Sequence, residues 1–194
     1  MTEGFQPRRG GGVVATFNGF EADLLRSLAS QLVELVRSEV AGSSHAEDPL
    51  EELVDFDGPT TEPEDPVLAR LFPNAYPEDV EAAGEFRRFT ESGLRDGKVR
   101  GAMSVIEALE EAGLPEEVDD EAVYVDVELP PGAAMEWLKS FTDIRLALAT
   151  RLDIEEGDED YWRALPHDDP RSHVHDIYEW VGYLQETLVE SLAR

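Results

Sequence analysis

Cysteine is absent from the chain, and lysine occurs only at positions 98 and 139. Without a thiol, these residues can form no disulfide, thiolate nucleophile, cysteine-ligated zinc site or thiol-based redox sensor. No apolar run approaches the length of a membrane-spanning helix, and the segment Met1–Phe5 lacks the apolar core of a signal peptide. We therefore expect a cytoplasmic protein.

Positive charge is also scarce. The chain has 16 Lys and Arg residues against 44 Asp and Glu residues, which gives a formal net charge of −28. Phosphate backbones repel such a molecule unless its few cations are gathered on one face, so direct nucleic-acid binding is disfavoured. The 194 residues, 41% of them hydrophobic, are enough for one domain with a core. We predict a single domain over residues 1–194, with an acidic, proline-rich surface excursion at about 45–66.

Helical periodicity dominates the remaining pattern and predicts an α+β fold that is mainly α, a helical bundle with a small antiparallel sheet. Apolar spacing predicts helices at about 21–40, 66–72, 78–111, 131–152 and 172–193, with one further turn at about 50–54. Asn18 is the expected N-cap of the first helix. Gly93 and Gly97 predict a kink or break in the long helix. The acidic run 153–160 is interpreted as a solvated connection.

Strict alternation of apolar and polar residues predicts a strand at Ala122–Leu129. Two shorter segments, Phe5–Arg9 and Val13–Phe17, flank three consecutive glycines, a pattern typical of a hairpin turn. We expect Val13–Phe17 to pair with Ala122–Leu129.

Three stretches are similar to those of a known actinobacterial family. They are residues 85–90, EFRRFT, residues 137–152, WLKSFTDIRLALATRL, and residues 178–185, YEWVGYLQ. They resemble the AosR family, which is named for an oxidative stress regulator, was long described as a domain of unknown function and is often encoded beside the ClpS protease adaptor. The resemblance spans nearly the whole chain and implies a role in stress-linked transcriptional regulation. Because this chain lacks cysteine, a thiol–disulfide switch within it is excluded. Regulation through protein contacts is compatible with the sequence.

A basic cluster is the first candidate site. Five of the 16 cations fall within fourteen residues: Arg87, Arg88, Arg95, Lys98 and Arg100. On a helix they form a candidate partner-binding patch for phosphate, nucleic acid or an acidic protein segment. The alternative is internal neutralisation of the acidic loop 47–65 or the acidic run 107–121, and we favour it because acids are so numerous.

Arg145 is the second candidate, because it lies within the apolar stripe of its predicted helix. Gln185 holds a similar place in the last helix, and together the two residues could line a polar pocket for a ligand. The alternative, which we favour, is that they bond to internal groups and fix the helix register. For Arg145 we expect a mostly buried guanidinium held by a carboxylate or by carbonyl oxygens.

The histidine region is the third candidate. His167, His173, His175 and Asp176 are candidates for binding a divalent metal. His173 and His175 are two positions apart at a helix start, where their side chains diverge, and no strong metal motif is matched. We favour a capping role for this region, with Asp168 or Ser172 as the N-cap, and predict no metal and no cofactor.

The sequence contains no phosphate-binding glycine loop and no serine-centred elbow. The leading hypothesis is therefore a non-enzymatic regulatory or adaptor-like protein that acts through contacts with a protein partner. A small-ligand or metal-dependent enzyme that uses Arg145, Gln185 or the histidine region is one alternative. A direct DNA-binding regulator that uses the basic cluster is another, disfavoured by the net charge of −28.

Self-repulsion among the 44 acids predicts a salt-dependent stability. Raising sodium chloride from about 20 to 500 mM shortens the Debye length severalfold and should raise the melting temperature. Thermal unfolding followed by circular dichroism measures this. A flat or falling curve would show that the acids are already paired or widely spaced.

Overall fold

An alternating apolar pattern builds the sheet. In the computed structural model, which describes residues 3–38, 58–118 and 123–193, the strands are β1 (Gln6–Pro7), β2 (Val13–Asn18) and β3 (Tyr124–Leu129). They form an antiparallel sheet in the order β1-β2-β3, and β2 pairs with β3 in the register that places Val13 opposite Leu129. The predicted pairing is confirmed. Apolar residues alternate with polar ones along β3, so one face of the sheet is buried and the other is exposed.

The turn between β1 and β2 depends on its three glycines. Gly10, Gly11 and Gly12 have φ angles of 103°, 100° and 85°, a region that other residues rarely adopt. A Cβ on Gly12 would lie 2.3 Å from the carbonyl oxygen of Leu129, so this glycine also allows the turn to approach β3 closely. The predicted hairpin is confirmed, although β1 contains only two residues.

The described residues contain six helices. They are α1 (Gly19–Ser38), α2 (Pro66–Leu71), α3 (Val80–Glu111), α4 (Pro131–Leu152), α5 (Glu159–Arg163) and α6 (Pro170–Leu192). Helix α1 begins directly after β2 through reciprocal capping. The Glu21 amide donates to Asn18 Oδ1 at 2.9 Å, and the Asn18 amide donates to Glu21 Oε2 at 3.0 Å. The N-cap and the predicted class, α+β and mainly α, are both confirmed.

Aromatic residues fill the core between the sheet and α4. Phe5, Phe17, Trp137 and Phe141 pack against one another edge-on, tilted or stacked, with ring centroids between 5.8 and 6.4 Å apart. Helix α4 carries two of these rings and also contacts α1, α2, α3 and α6. Burial of this central helix therefore holds the other elements together.

Helix α3 differs from the prediction. It is a single helix of 32 residues, and no break occurs at Gly93 or Gly97. A Cβ at either position would meet no atom within 4 Å, so both glycines face open space. Their weak helix propensity, about 1 kcal/mol each relative to alanine, is overcome by the packing of the opposite face of the helix.

The region from 153 to 172 agrees with the prediction only in part. The acids of the run 153–160 are mostly exposed, as expected of a solvated connection, but the last two belong to the short helix α5, which is held by the buried Trp162. Helix α6 begins at Pro170, and its N-cap is Asp169 rather than Asp168 or Ser172. Hydrogen bonds from the side chain and the backbone amide of Arg171 lower the pKa of Asp169 to about 2.

The acidic excursion is described only from residue 58 onward, where residues 58–65 form no helix or strand and are mostly exposed. The predicted turn at 50–54 lies outside the described residues. No helix in the described part of the chain combines the length and the apolar composition needed to cross a membrane.

Asp65 joins the end of the excursion to two helices. Its Oδ1 accepts a hydrogen bond from the amide of Val67 at 2.7 Å, which caps α2, and its Oδ2 accepts one from Arg151 of α4 at 2.8 Å. Burial raises the pKa of Asp65, but the hydrogen bonds from Arg151, Val67 and Leu68 outweigh it and hold the pKa below its ordinary value of 3.8. The ionised form is therefore the one that stabilises the fold.

Asp65→Ala should lower the free energy of unfolding by about 1 kcal/mol at neutral pH, because α2 loses its cap. The pKa of Asp65 is lower in the folded protein than its ordinary value of 3.8. The carboxylate therefore stabilises the fold above pH 3.8, and this stabilisation is lost as the pH falls through the lower folded-state pKa. The difference between wild type and variant in urea unfolding should therefore shrink as the medium is acidified below 3.8. Glu64→Ala, which removes a neighbouring exposed acid, is the control and should change stability by less than about 0.5 kcal/mol. A difference that is independent of pH would contradict this role of the carboxylate.

Candidate functional site

Three charged residues lie buried on one face of α3. Arg87, Glu91 and Arg95 are spaced four residues apart, which places them one above another on a helix. Their exposed fractions are 5%, 2% and 7%, so all three are inside the protein. Buried charges persist only when they are paired and hydrogen-bonded, and the pairing is internal to the helix.

Glu91 lies between the two arginines and binds both. Its Oε1 accepts a hydrogen bond from Arg95 Nε at 2.8 Å, while its Oε2 accepts one from Arg87 Nη1. One carboxylate therefore serves two guanidinium groups. Each of the two guanidinium groups also has an N–H group directed away from Glu91, toward a neighbouring helix.

Those donors satisfy the carboxyl ends of α1 and α2. Arg95 Nη1 donates to the carbonyl oxygen of Val36 in the last turn of α1 at 2.5 Å. Arg87 Nη2 donates to the carbonyl oxygen of Phe72, the C-cap of α2, at 2.8 Å. Carbonyl groups at a helix end lack partners within the helix and carry partial negative charge, so cations are favoured there. The buried arginines therefore join α3 to the ends of two other helices.

The ring of Phe72 completes this network. The Arg95 guanidinium lies 4.7 Å from the ring centroid, and Lys98 Nζ lies 5.6 Å from it. Lys98 also donates to Asp143 Oδ1 of α4 at 2.6 Å. Burial raises the pKa of Asp143 above its ordinary value, although the hydrogen bond from Lys98 acts in the opposite direction.

The five residues of the predicted basic cluster are therefore divided between the interior and the surface. Arg87 and Arg95 are buried, and Lys98 is engaged with Asp143. Arg88 is half-buried, with its guanidinium 5.7 Å from the ring of Phe89, and Arg100 is exposed. Among the described residues, Glu91 and Asp143 supply the carboxylates for Arg87, Arg95 and Lys98. Neither residue belongs to the stretches 47–65 and 107–121 that the sequence pattern predicts as partners of the cluster, and residues 47–57 and 119–121 of those stretches lie outside the described residues.

Arg145 and Gln185 are brought together between α4 and α6. Arg145 Nη1 donates to Gln185 Oε1 at 2.9 Å, and Nη2 donates to the hydroxyl of Tyr178 at 3.1 Å. The guanidinium also lies 4.8 Å from the Tyr178 ring centroid. Gly182 leaves room for it, since a Cβ there would lie 3.3 Å from Arg145 Cζ.

The expected carboxylate partner of Arg145 is not found. Within the described residues its partners are an amide oxygen and a phenol hydroxyl, the side chain is half-buried, and its Nε has no hydrogen-bond partner. An open groove of about 680 Å³ lies beside it, lined also by Glu179, Glu186 and Glu190. These three carboxylates make the groove acidic, which disfavours an anionic ligand at Arg145.

The histidine region is spread out. His175 stacks on Trp162, with ring centroids 4.8 Å apart and planes 5° from parallel, and so holds α5 against α6. His167, His173 and Asp176 do not join this stack, and in the described part of the chain no three residues of the types that bind metals come together. The stacking of Trp162 on His175 is not predicted by the sequence, because no periodic pattern links the two residues.

An exposed face of α3 is a further candidate that the sequence pattern does not predict. Phe86 and Phe89 of α3 have exposed fractions of 44% and 68%, and Tyr76, four residues before the helix begins, is 49% exposed and packs its ring edge-on against Phe86 at 6.0 Å. At about 100° per residue, a row of exposed acids runs along α3 next to these rings: Glu81, Glu85 and Asp96. We call these six residues the aromatic–acidic face. The only signal in the sequence is the pair of phenylalanines within residues 85–90, which a helical pattern would normally assign to a core.

Removing the central charge of the buried network should destabilise the fold strongly. Glu91→Gln keeps the shape of the side chain but leaves two buried guanidinium groups without a carboxylate, and we expect a loss of about 3–5 kcal/mol in urea unfolding. Glu85→Gln, on the exposed side of the same helix, is the matched control and should cost less than about 0.5 kcal/mol. A loss below about 1 kcal/mol for Glu91→Gln would show that water solvates the arginines.

Comparisons with known proteins identify the family. A family model described as a domain of unknown function (DUF2017) matches residues 2–192. The chain is 30% identical over 184 residues to the oxidative stress regulator AosR of Mycobacterium tuberculosis, an alignment that covers 87% of this chain and 77% of that protein. It is 29% identical over 193 residues to a putative oxidative stress regulator AosR of Mycobacterium leprae, covering 89% and 78%. No solved structure shows a significant match. The resemblance seen in the sequence is thus confirmed, and the chain belongs to the DUF2017 family of AosR-like proteins.

Proposed function

We propose that this chain is a non-enzymatic regulator in a stress response and that it acts through contacts with a protein partner. The observation that carries the proposal is its similarity, over 87% of its length, to a protein named as an oxidative stress regulator. The exposed aromatic residues of α3 support contact with a protein, because monomeric soluble proteins rarely leave grouped aromatic side chains in water.

The distribution of charge supports a protein partner over DNA. Three of the five clustered cations are bound to internal carboxylates or carbonyl groups, which draws them away from the surface. The surface that remains belongs to a chain of net charge −28. A phosphate backbone would be repelled by it, whereas a protein with a basic segment would be attracted.

The absence of cysteine bears on how a stress signal would arrive. None of the 194 residues can form a sulfenic acid or a disulfide. We therefore place any thiol-based sensing step on the partner or upstream of it, so that this chain responds through binding. A change in partner occupancy, rather than a covalent change in this chain, would carry the signal.

The proposal is tested by affinity capture from an extract of the organism that produces the chain, before and after peroxide treatment, with mass spectrometry of the bound proteins. An unrelated protein of comparable negative charge is the control bait. We expect at least one protein to be enriched over the control in a peroxide-dependent manner. Enrichment of nothing over the control in either condition would contradict the proposal. A mobility shift with duplex DNA at about 0.15 M salt, where charge steering is partly screened, would also contradict it.

A further inference from the structure

We propose that the aromatic–acidic face of α3 is the docking site for a cationic amphipathic helix of a protein partner. This inference rests on the proposed function and names the surface and the chemistry of the contact. The face combines three exposed aromatic rings with a row of carboxylates along one side of a long helix. Helices commonly bind other proteins by laying an apolar stripe against such a surface.

The aromatic rings supply the apolar part of the contact. Phe89 is 68% exposed, and Tyr76 and Phe86 form an edge-on pair on the same face. Aromatic side chains of this size dominate binding energies when they become desolvated at the centre of an interface. The next turns of α3 carry Gly93 and Gly97, which leave open space beyond the rings, so a partner helix meets no side chain at those two positions.

The carboxylates determine the charge of the partner. Glu81, Glu85 and Asp96 are exposed, and among the residues that the structure describes none of the three forms an ion pair. The surface cations of this part of the helix are Arg88, which already has a partner, and Arg100, which lies one turn beyond the end of the row. A partner helix with lysine or arginine beside its apolar stripe would neutralise the row.

The same charges disfavour the other occupants of an apolar face. A second copy of the chain would bring another formal charge of −28 to the interface, and the two acidic rows would repel each other. An anionic lipid surface would be repelled for the same reason. Charge complementarity therefore selects a cationic protein segment.

The test uses the full chain and a synthetic peptide of about 18 residues, or about five helical turns, built from leucine and lysine with all leucines on one face. A peptide of the same composition with the leucines scattered around the helix is the comparison. Binding is measured by fluorescence anisotropy at about 0.15 M salt. We expect the peptide with the leucine face to bind more tightly than the scattered one.

Variants of the aromatic rings locate the site. Phe86→Ser with Phe89→Ser should weaken binding about tenfold or more. Phe20→Ser is the matched control, because Phe20 is 47% exposed on another helix, and it should leave binding unchanged. Should the double phenylalanine variant fold poorly, Phe89→Ser alone carries the test, since that ring is the most exposed of the three.

Variants of the acidic row test the charge of the contact. Glu85→Gln with Asp96→Asn should weaken binding severalfold and reduce its salt dependence. Glu155→Gln with Glu156→Gln is the charge-matched control, because these two acids are exposed in the connection between α4 and α5 rather than on α3. An equal loss of binding in both double variants would assign the attraction to the net charge of the chain rather than to this row.

Several further outcomes would overturn the inference. Equal binding of both peptides, or unchanged binding by the Phe89→Ser chain, would show that the peptide is bound by non-specific electrostatic attraction and not by the aromatic–acidic face. Sedimentation equilibrium that shows a dimer lost in Phe89→Ser would assign the face to a second copy. Cosedimentation with phosphatidylcholine vesicles that is lost in the same variant would assign it to a lipid surface.

Affinity capture with the Phe89→Ser chain separates this inference from the proposed function. Loss of the enriched protein supports the docking site. If the variant still recovers that protein, the docking site is wrong while the proposed function stands. If the wild-type chain recovers nothing over the control bait, the proposed function itself is wrong, whatever the peptide shows.

Discussion

The pairing of Glu91 with two buried arginines is the interaction on which the arrangement of α1, α2 and α3 depends. Each arginine uses further donors on a carbonyl group at the carboxyl end of another helix, Val36 for α1 and Phe72 for α2. Burying three charges is costly, and the cost is offset only when the charges are paired in good geometry and hydrogen-bonded. Such a network fixes relative helix positions more sharply than apolar contacts, because hydrogen bonds are directional.

This internal use of cations also determines the character of the surface. The chain has only 16 Lys and Arg residues, and two arginines and a lysine form internal ion pairs. Fewer cations are therefore left to balance the exposed acids. Along the first half of α3, the acids Glu81 and Glu85 consequently face solvent without a counter-ion in the described part of the chain. The packing of the interior and the acidity of the outer face are two results of the same distribution of charge.

The sequence predicts the fold where burial follows hydrophobic periodicity. The β2–β3 pairing and the bounds of α4 follow from alternation and from helical spacing, because the buried face of each element is its apolar face. It fails where an element is held by something other than an apolar face. Helix α5 has only five residues and is held by the stacking of Trp162 on His175, a tertiary contact without a periodic signal. The first half of α3 buries its charges and exposes its phenylalanines, so amphipathic reasoning assigns the wrong face to the core.

That inversion connects the candidate site to the core. In the second half of α3 the usual pattern returns, with Ala102, Val105 and Leu109 fully buried. One unbroken helix of 32 residues is therefore held to the rest of the protein by apolar packing in its second half and by the buried charge network in its first half, whose outer face is apolar and acidic. A partner bound over Phe89 would contact the side of α3 opposite Glu91, and any shift of the helix would bear directly on the arginines that hold the ends of α1 and α2.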